Sequence, residues 1–341
     1  MRKRLYNLFD YRMQARLDRI RYTLGLLPRV EPRAAAHAAW LPQPYRAALV
    51  ISADLELAWA WQYANHHSNP LELAHQMALR TRRNLPGLLD LFDRHRVPVT
   101  WATIGHLFLD HCDPGTEDGW AHAAMPRPLH FEGECWRFQS VDWYVHDPCR
   151  NLQQAPDWYA PDLIRAILST RMKHEIACHT FSHIDCTDEH CPPALMEAEL
   201  AECQRLAAEW GLELRSFVFP GNREGNWASL SKAGFHAYRH ASHHHLGFPQ
   251  QDAYGLWQIP GGLCWEKPAG WAVEDWVKAL CRCIDRALET RTVVHFWFHP
   301  SCEEVNTETV FPAVLNYVQT RRDSLWLTTM GRLAGSAHAL G

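Results

Sequence analysis

Residues 47–54 read AALVISAD, a continuous apolar run that ends on an acidic residue. Such a run is typical of a strand buried on both faces, as in a parallel sheet covered by helices. Similar apolar runs recur along the chain, and helical patterns separate several of them. The further predicted strands are 97–103, 175–178, 216–220, 256–260 and 292–298, and the predicted helices are 71–96 (interrupted at Pro86), 193–210, 273–288 and 307–320. At least six strands that alternate with helices predict an α/β barrel.

One segment, residues 107–160, breaks this alternation because it is rich in Pro, Gly, Trp and His. A loop of this length in a compact domain is usually functional, so we expect an insert on the active face of the barrel. We therefore divide the chain into an N-terminal segment of residues 1–40 and a barrel domain of residues 41–335 that carries the insert.

The N-terminal segment differs in charge from the rest of the chain. Residues 1–33 carry nine Lys or Arg and three Asp or Glu, whereas the whole chain of 341 residues carries 34 and 38, for a net charge of −4. On a helical projection the apolar residues of the segment share one broad face, which predicts a basic amphipathic helix. This helix would lie in a membrane interface, with its arginines toward anionic head groups, or dock on its own barrel or on a second subunit.

Composition also limits the class of protein. The net charge does not describe a nucleic-acid-binding protein, and no apolar run approaches the roughly 18 to 20 residues that a membrane span needs. The first residues lack the uninterrupted apolar core of a secretory signal, and the eleven Cys are an odd number without a CxxC pair. We expect a cytoplasmic protein with mostly reduced thiols, and peripheral contact with the inner membrane face is a further option. The oligomeric state stays open.

Side chains with useful chemistry follow two of the predicted strands. Asp54 and Glu56 close the first strand, and alternation would point both to the same side of it; the other interpretation is a carboxylate that caps the following helix. In EIACHTFSHID, residues 175–185, His179 and His183 lie four residues apart directly after a strand. If a helical turn begins there, both imidazoles share one face and can reach one metal ion, whereas a core or surface His pair is the alternative.

Two later segments add polar groups at the same predicted end of the barrel. In VVHFWFHPSC, His299 ends the last long strand, where catalytic groups lie in barrels of this type, and His295 is expected to be a packed interior residue. SFVFPGNREGN places a turn, residues 220–222, ahead of Arg223. The amides of this turn could form an anion-binding concavity, and the guanidinium could pair with a carboxylate across the barrel mouth.

In this order, the motifs resemble those of the polysaccharide deacetylase family, the NodB-homology fold of carbohydrate esterase family four. The family pattern is a strand ending in D-x-D/E, then H-[ST]-x-x-H behind a strand, a strand and turn bearing Arg or an aromatic residue, and a late strand-end His. HTFSHID resembles its second motif, and the resemblance runs from about residue 47 to residue 327. EIACHTFSHID and SFVFPGNREG with GFHAYRH are closest to bacterial members associated with surface-glycan biosynthesis. The resemblance implies an irregular (β/α)7 barrel.

The resemblance also implies a role for each motif residue. Glu56, His179 and His183 would hold a divalent metal, with Zn²⁺ expected and Co²⁺ or Ni²⁺ as alternatives. Asp54 would be the general base that deprotonates water, and His299 the acid that protonates the leaving amine. A backbone N–H of the 220–222 turn would help to stabilise the oxyanion. The reaction would be hydrolysis of an N-acyl group, above all N-acetyl, from an amino sugar in a glycan, glycolipid or sugar precursor.

Departures from the family pattern keep alternatives open. Relatives with D-x-E include allantoinase-like amidohydrolases that work without a metal, so a non-sugar amide hydrolase is one alternative and a non-catalytic sugar-binding protein is another. Arg223 is the only nearby replacement for the Arg that usually tethers the base. Tryptophans near the motifs are expected to stack on pyranose rings, although Trp is also a common core residue. The predicted substrate-binding residues are Trp59, Trp61, Pro220, Gly221, Asn222 and Trp265.

Overall fold

The computed structural model describes residues 28–32, 40–65, 67–112, 121–133, 136–242 and 244–340. The amphipathic helix predicted from the first 27 residues lies outside the described residues. The strands are β1 (Ala47–Leu55), β2 (Thr100–Thr103), β3 (Phe131–Glu132), β4 (Arg137–Phe138), β5 (Glu175–Cys178), β6 (Ser216–Val218), β7 (Ala237–His240), β8 (Leu246–Gly247), β9 (Gln250–Gln251), β10 (Trp257–Pro260), β11 (Leu263–Cys264), β12 (Val293–Phe298) and β13 (Leu325–Thr328). The α-helices are α1 (Pro70–His95), α2 (Pro161–Leu168), α3 (Pro193–Glu209), α4 (Trp227–Lys232), α5 (Val273–Thr290), α6 (Phe311–Gln319) and α7 (Met330–Leu340).

Seven parallel strands form the barrel wall, side by side in the order β12-β1-β2-β5-β6-β7-β10. Strand β1 is the second strand of this row and is buried at each of its nine residues, as its largely apolar sequence predicts. It pairs with β12 along one edge, and along the other edge with β13 at residues 47–50 and with β2 at residues 52–55. The curled parallel sheet with its helices confirms the predicted barrel fold.

The two ends of this row of strands are joined through His295. The buried imidazole on β12 donates its Nδ1–H to the Pro260 carbonyl oxygen of β10 at 3.0 Å, and its Nε2 accepts from the Ser52 hydroxyl at 2.9 Å. Burial lowers the pKa of His295 to about 3, so the ring is neutral. Gly262 passes through the same seam, where a Cβ would lie 2.6 Å from the His295 carbonyl oxygen. His295 is therefore a packed interior residue, as predicted.

The structure differs from two of the helix predictions, and in both cases a proline lies in the helix. Helix α1 continues through Pro86, because Leu85, Leu88 and Leu89 bury its apolar face on both sides of the proline and offset a cost of roughly 3 kcal/mol. The predicted interruption there is wrong. The helix predicted over residues 307–320 is instead a π-helical turn, Asn306–Val310, followed by α6, which has a proline in its first turn. No helix in the described ranges is long and apolar enough to cross a bilayer.

Candidate active site at the carboxyl ends of the strands

The carboxyl ends of the parallel strands meet at one end of the barrel, and the sequence motifs lie there. Asp54 is the penultimate residue of β1 and Glu56 follows that strand. His179 follows β5, and His299 follows β12. Arg239, on β7, reaches the same place. Asp54, Glu56, His179 and Arg239 are buried, whereas 25% of the His299 side chain is exposed and marks the open side of the site.

His179 and His183 converge through a loop, which we call the HTFSH loop (residues 179–183). Thr180 and His183 both have a φ of 61°, in the left-handed region that non-glycine residues rarely adopt. The Thr180 hydroxyl oxygen accepts the His183 N–H at 2.9 Å and closes the turn. The predicted helical turn is therefore wrong, although the two imidazoles do face one point.

A buried carboxylate fixes the backbone of this loop from the side of α3. One oxygen of Glu199 accepts the N–H groups of Phe181 and Ser182 at 2.8 and 2.9 Å, and the other accepts the Ser182 hydroxyl at 2.8 Å. Burial raises the pKa of Glu199 to about 7, even though these hydrogen bonds favour the ionised form. The strained loop is therefore held by contacts from the next helix of the chain, 17 and 18 residues after the bonded amides.

Glu56, His179 and His183 form what we call the three-donor cluster. The Glu56 Oε1 lies 3.0 Å from His179 Nε2 and 3.2 Å from His183 Nε2, and one donor atom from each residue lies within 4.8 Å of the others. His179 Nδ1 lies 2.7 Å from the Val218 carbonyl oxygen, which can only accept, so Nδ1 carries the hydrogen. In the neutral ring the bare Nε2 lone pair then faces a carboxylate oxygen. A proton on Nε2 or a metal ion beside the two atoms stabilises such a pair, and the donor set fits a divalent metal.

The second carboxylate of the site, Asp54, is held by Arg239. The guanidinium forms a fork of two hydrogen bonds, at 2.6 Å from Nη1 to Oδ1 and at 2.7 Å from Nη2 to Oδ2. Ser52 and Asn222 accept further hydrogen bonds from the same group, both at 3.1 Å. Burial alone would raise the pKa of Asp54, but the charge and the hydrogen bonds of Arg239, together with the nearby His179, outweigh it and hold this pKa below its usual value. Asp54 is therefore a fixed, ionised carboxylate.

The expectation that Arg223 tethers the base is wrong. The Arg223 guanidinium pairs instead with Asp185, which also accepts from Thr187 and contacts His190. Arg239 was missed because it lies within a buried strand that the apolar pattern did not predict. A signal was present, since a charged residue between apolar ones in GFHAYRH requires a buried partner.

His299 faces the three-donor cluster from β12. Its Nδ1 lies 2.9 Å from Glu266 Oε1, and its Nε2 lies 3.9 Å from Glu56 Oε2. The same Glu266 oxygen accepts the backbone N–H of His299 at 2.9 Å. Burial alone would lower the pKa of His299, but the two carboxylates raise it to about 10. Nothing in the sequence pattern pointed to Glu266, which follows the two-residue strand β11.

The predicted aromatic contacts divide into two groups. Trp61 lies edge-on to His299, with 5.9 Å between ring centroids, and Trp136 of the insert lies edge-on to His183 at 4.5 Å. By contrast, Trp265 is fully buried and stacks on Phe311 at 4.1 Å. Trp59 is buried too, packed against other rings of the insert. The expectation that Trp59 and Trp265 contact substrate is therefore wrong, because both side chains belong to the core.

The 220–222 turn borders the site, but one of its amides is already used. Pro220–Asn222 is a 3-10 turn in which Gly221 and Asn222 have φ values of 58° and 54°. The Asn222 N–H donates to the Phe219 carbonyl oxygen at 2.9 Å, so it does not point at an oxyanion. The Asn222 side chain contributes instead by accepting from Arg239.

Comparison with known proteins agrees with this geometry. Residues 77–240 match the family described as polysaccharide deacetylase. Two solved structures assigned to the polysaccharide deacetylases share the fold: one from Pseudomonas aeruginosa PAO1 (16% identity, TM-score 0.61, covering 91% of this chain and 98% of that chain) and one from Mycobacterium smegmatis (14%, 0.60, 90% and 96%). PuuE allantoinase shares it as well (15%, 0.61, 91% and 94%). No curated protein matches the chain. The match over residues 77–240 therefore shows similarity to the polysaccharide deacetylase family, which confirms the resemblance seen in the sequence motifs.

Proposed function

We propose that this protein is a metal-dependent hydrolase that removes an N-acyl group, above all N-acetyl, from an amino sugar in a glycan, glycolipid or sugar precursor. The family match supports the coarser part of this function, a hydrolase that acts on acetyl groups of sugar-like substrates. One observation carries the finer part. The three-donor cluster lies between a carboxylate held by an arginine and a histidine held by a carboxylate.

Glu56, His179 and His183 would hold the metal, and their imidazole and carboxylate donors suit Zn²⁺. When bound, the ion would polarise the acyl carbonyl and make nearby water more acidic. Three protein donors leave coordination positions open, as catalytic sites require. All the other chemistry can be assigned to side chains of the chain itself.

Asp54 is suited to accept the proton of the attacking water. Its carboxylate is ionised, and the Arg239 fork holds it in one orientation, so it needs little reorganisation to act. Because Ser52 and Asn222 fix the guanidinium in turn, the orientation of Asp54 is set by β7 and by the 220–222 turn together.

His299 is suited to donate a proton to the leaving nitrogen. Glu266 accepts from Nδ1, which leaves the Nε2–H on the side of the cluster. Glu266, which is not among the metal donors, raises the pKa of His299 through its charge and its hydrogen bond, so the ring can carry the proton that the amine needs. Asp54 and His299 therefore differ in charge in the direction that a base and an acid require.

Trp61 supports a sugar as the substrate. Its partly exposed ring lies beside His299, and a flat apolar ring can stack on the C–H face of a pyranose. Trp136 of the insert is buried against His183, so the insert would back the three-donor cluster from behind.

The test is incubation with a panel of N-acetylated free, nucleotide-linked and lipid-linked sugars, with acetate release as the readout. We expect release from at least one carrier, loss of release after chelation, and recovery on addition of Zn²⁺. Allantoin serves as the contrasting substrate. Turnover of allantoin that survives chelation, without acetate release from any sugar, would contradict the proposal and favour a non-sugar amide hydrolase.

For the N-terminal segment of residues 1–40 we keep peripheral contact with an anionic membrane surface as a proposal. Its support is the excess of Lys and Arg in residues 1–33 together with the apolar helical face. Deleting residues 1–30 should abolish sedimentation with anionic liposomes and leave acetate release unchanged. Equal sedimentation of both forms would exclude this role for the segment.

A further inference from the structure

A second group of metal-binding side chains lies behind the HTFSH loop, where the insert meets the barrel. We call it the four-donor cluster; its members are His106, Cys112, His122 and Asp147. His106 lies in a 3-10 turn, Gly105–Phe108, that follows β2, and the other three residues belong to the insert. One donor atom from each residue lies within 4.8 Å of the donor atoms of the others.

The distances between these atoms approach those of a tetrahedral site. The Nε2 atoms of His106 and His122 are 3.1 Å apart, and each lies 3.0 Å from Asp147 Oδ2. Cys112 Sγ lies 3.3 Å from the same oxygen. A zinc ion bound by nitrogen at about 2.0–2.1 Å separates two such donors by about 3.3 Å in a tetrahedron. Small shifts of these side chains would therefore complete the coordination.

The hydrogen bonds around the cluster leave donor lone pairs pointing inward. His106 Nδ1 lies 3.2 Å from the Trp158 carbonyl oxygen, so Nδ1 carries the hydrogen and Nε2 is bare in the neutral ring. Its bare Nε2 therefore faces a carboxylate oxygen, the arrangement found in the three-donor cluster. A carbonyl that fixes the tautomer of a ligating His is typical of metal sites.

The hydrogen bonds of Asp147 likewise leave one of its oxygens facing the centre of the four-donor cluster. Its Oδ1 accepts the Tyr159 hydroxyl at 3.1 Å and the Cys149 N–H at 3.0 Å, which leaves Oδ2 for the two histidines and the thiol. The side chains of His106 and Asp147 are 0% exposed, so an anionic oxygen lies against two imidazoles away from water.

We propose that the four-donor cluster binds one zinc ion as a closed, structural site that is separate from the three-donor cluster. A thiolate, two imidazoles and a carboxylate form a donor set that favours zinc over magnesium or calcium. Four protein donors fill a tetrahedron and leave no position for a substrate. On binding, the Cys112 thiol loses its proton to solvent as the sulfur–zinc bond forms, with no change in oxidation state.

The position of this site assigns it a supporting role. The N–H groups of Gly105 and His106 donate to the carbonyl oxygens of Thr180 and Phe181 at 2.9 and 3.0 Å. The Phe181 ring also packs against both imidazoles, with its centroid 5.5 Å from that of His106 and 5.2 Å from that of His122. An ion that fixes His106 to the insert would therefore fix the HTFSH loop as well.

The experiment compares metal content and thiolate ligation in the full-length protein purified under reducing conditions. We expect two zinc ions per chain in the wild type. Replacement by Co²⁺ should give a near-ultraviolet thiolate-to-cobalt charge-transfer band, which the three-donor cluster cannot produce because it contains no sulfur. This measurement needs no variant, so it does not depend on whether a variant folds.

Two variants then separate the clusters. Cys112→Ser should lose the band and one ion, whereas the matched control Cys149→Ser should keep both. His179→Ala should lose one ion and keep the band, so failure of the proposed active site and failure of this proposal give different results. A wild type without the band would overturn the proposal. So would a disulfide between Cys112 and Cys149, whose sulfur atoms lie 3.1 Å apart, in protein that has bound its metal.

Discussion

The three-donor cluster and the four-donor cluster share one hydrogen-bonding arrangement and differ in their surroundings. In each, a backbone carbonyl fixes a histidine so that its bare nitrogen faces a carboxylate oxygen. The three-donor cluster has no sulfur, is open beside His299 and lies next to a carboxylate held by Arg239. The four-donor cluster adds a thiol and is enclosed by aromatic rings. The number of donors and the presence of proton-transfer groups therefore separate a site suited to catalysis from one suited to support.

Asp54→Asn should produce the largest effect on activity. It should impair the chemistry beside the three-donor cluster and leave the four-donor cluster unchanged. The amide keeps the size of the side chain but cannot accept the proton of water, so we expect kcat for acetate release to fall about 1000-fold. Metal content should stay at the wild-type value. Asp110→Asn is the matched control, because the Asp110 side chain is 66% exposed and only pairs weakly with Arg165. Full activity of the Asp54 variant would show that another group is the base.

Glu199 tests how firmly the loop shared by the two clusters is held. Since burial raises its pKa to about 7, the folded protein binds this proton more tightly than the unfolded chain does. The contribution to stability is therefore complete below the usual pKa of about 4.5 and is lost as the pH rises toward 7. We expect it to fall by about 2.5 kcal/mol between pH 5 and pH 8.

Glu199→Gln is the comparison variant, because the amide is neutral at every pH and its oxygen can still accept from Phe181 and Ser182. Urea unfolding of both proteins at several pH values gives the difference. If the stability difference between them does not change with pH, Glu199 is ionised throughout and its hydrogen bonds outweigh its burial.

Cys112→Ser should lower the thermal stability of the protein and change kcat little, which would distinguish the role of the four-donor cluster from that of the three-donor cluster. Loss of a bound ion from the four-donor cluster removes roughly 2 kcal/mol, which lowers the melting temperature by roughly 3 °C in a domain of this size. We expect kcat to change less than about threefold, since none of the four donors touches the proposed substrate cleft. Thermal unfolding with and without chelator is the measurement. A melting temperature that responds to chelator equally in both proteins would contradict this division of roles.

Arg239→Lys should have the smallest effect when the four changes are compared as free energies. Lysine cannot form the two-bond fork, so Asp54 loses one charge-assisted hydrogen bond and we expect activity to fall about tenfold. Because Arg239 holds the pKa of Asp54 down, its loss should move the acid limb of the pH–rate profile to higher pH. Arg223→Lys is the matched control and should leave that limb in place, since Arg223 pairs with Asp185. A shift in the control alone would reverse the two assignments.

The sequence predicted those parts of the fold that depend on local pattern. The unbroken apolar residues of β1 and β5 predict buried strands wherever they lie in the barrel. Strand β7 was missed because its sequence, AYRH, carries polar residues whose partners are distant: Asp54 is 185 positions from Arg239. The partner of a buried arginine of this kind can be identified only when the positions of both strands in the barrel are known.

The site shows the same division. Spacing found His179 and His183 but gave the wrong geometry, because the left-handed φ of Thr180 is supported by tertiary contacts of the loop with Glu199. Proximity to a motif also misassigned Trp59 and Trp265, since sequence neighbours can point into the core. The donors of the four-donor cluster are scattered over an irregular insert and have no spacing that predicts a site.

The span of each cluster along the chain bears on how the protein assembles during synthesis. Asp147 lies 41 residues after His106, whereas His179 lies 123 residues after Glu56. Closing the longer loop costs about 1 kcal/mol more chain entropy. All four donors of the four-donor cluster, and the Trp158 carbonyl that orients His106, are also made before the ribosome reaches His179. The four-donor cluster can therefore form first on the nascent chain. The HTFSH loop, when it emerges from the ribosome, can then pack against a surface that is already folded.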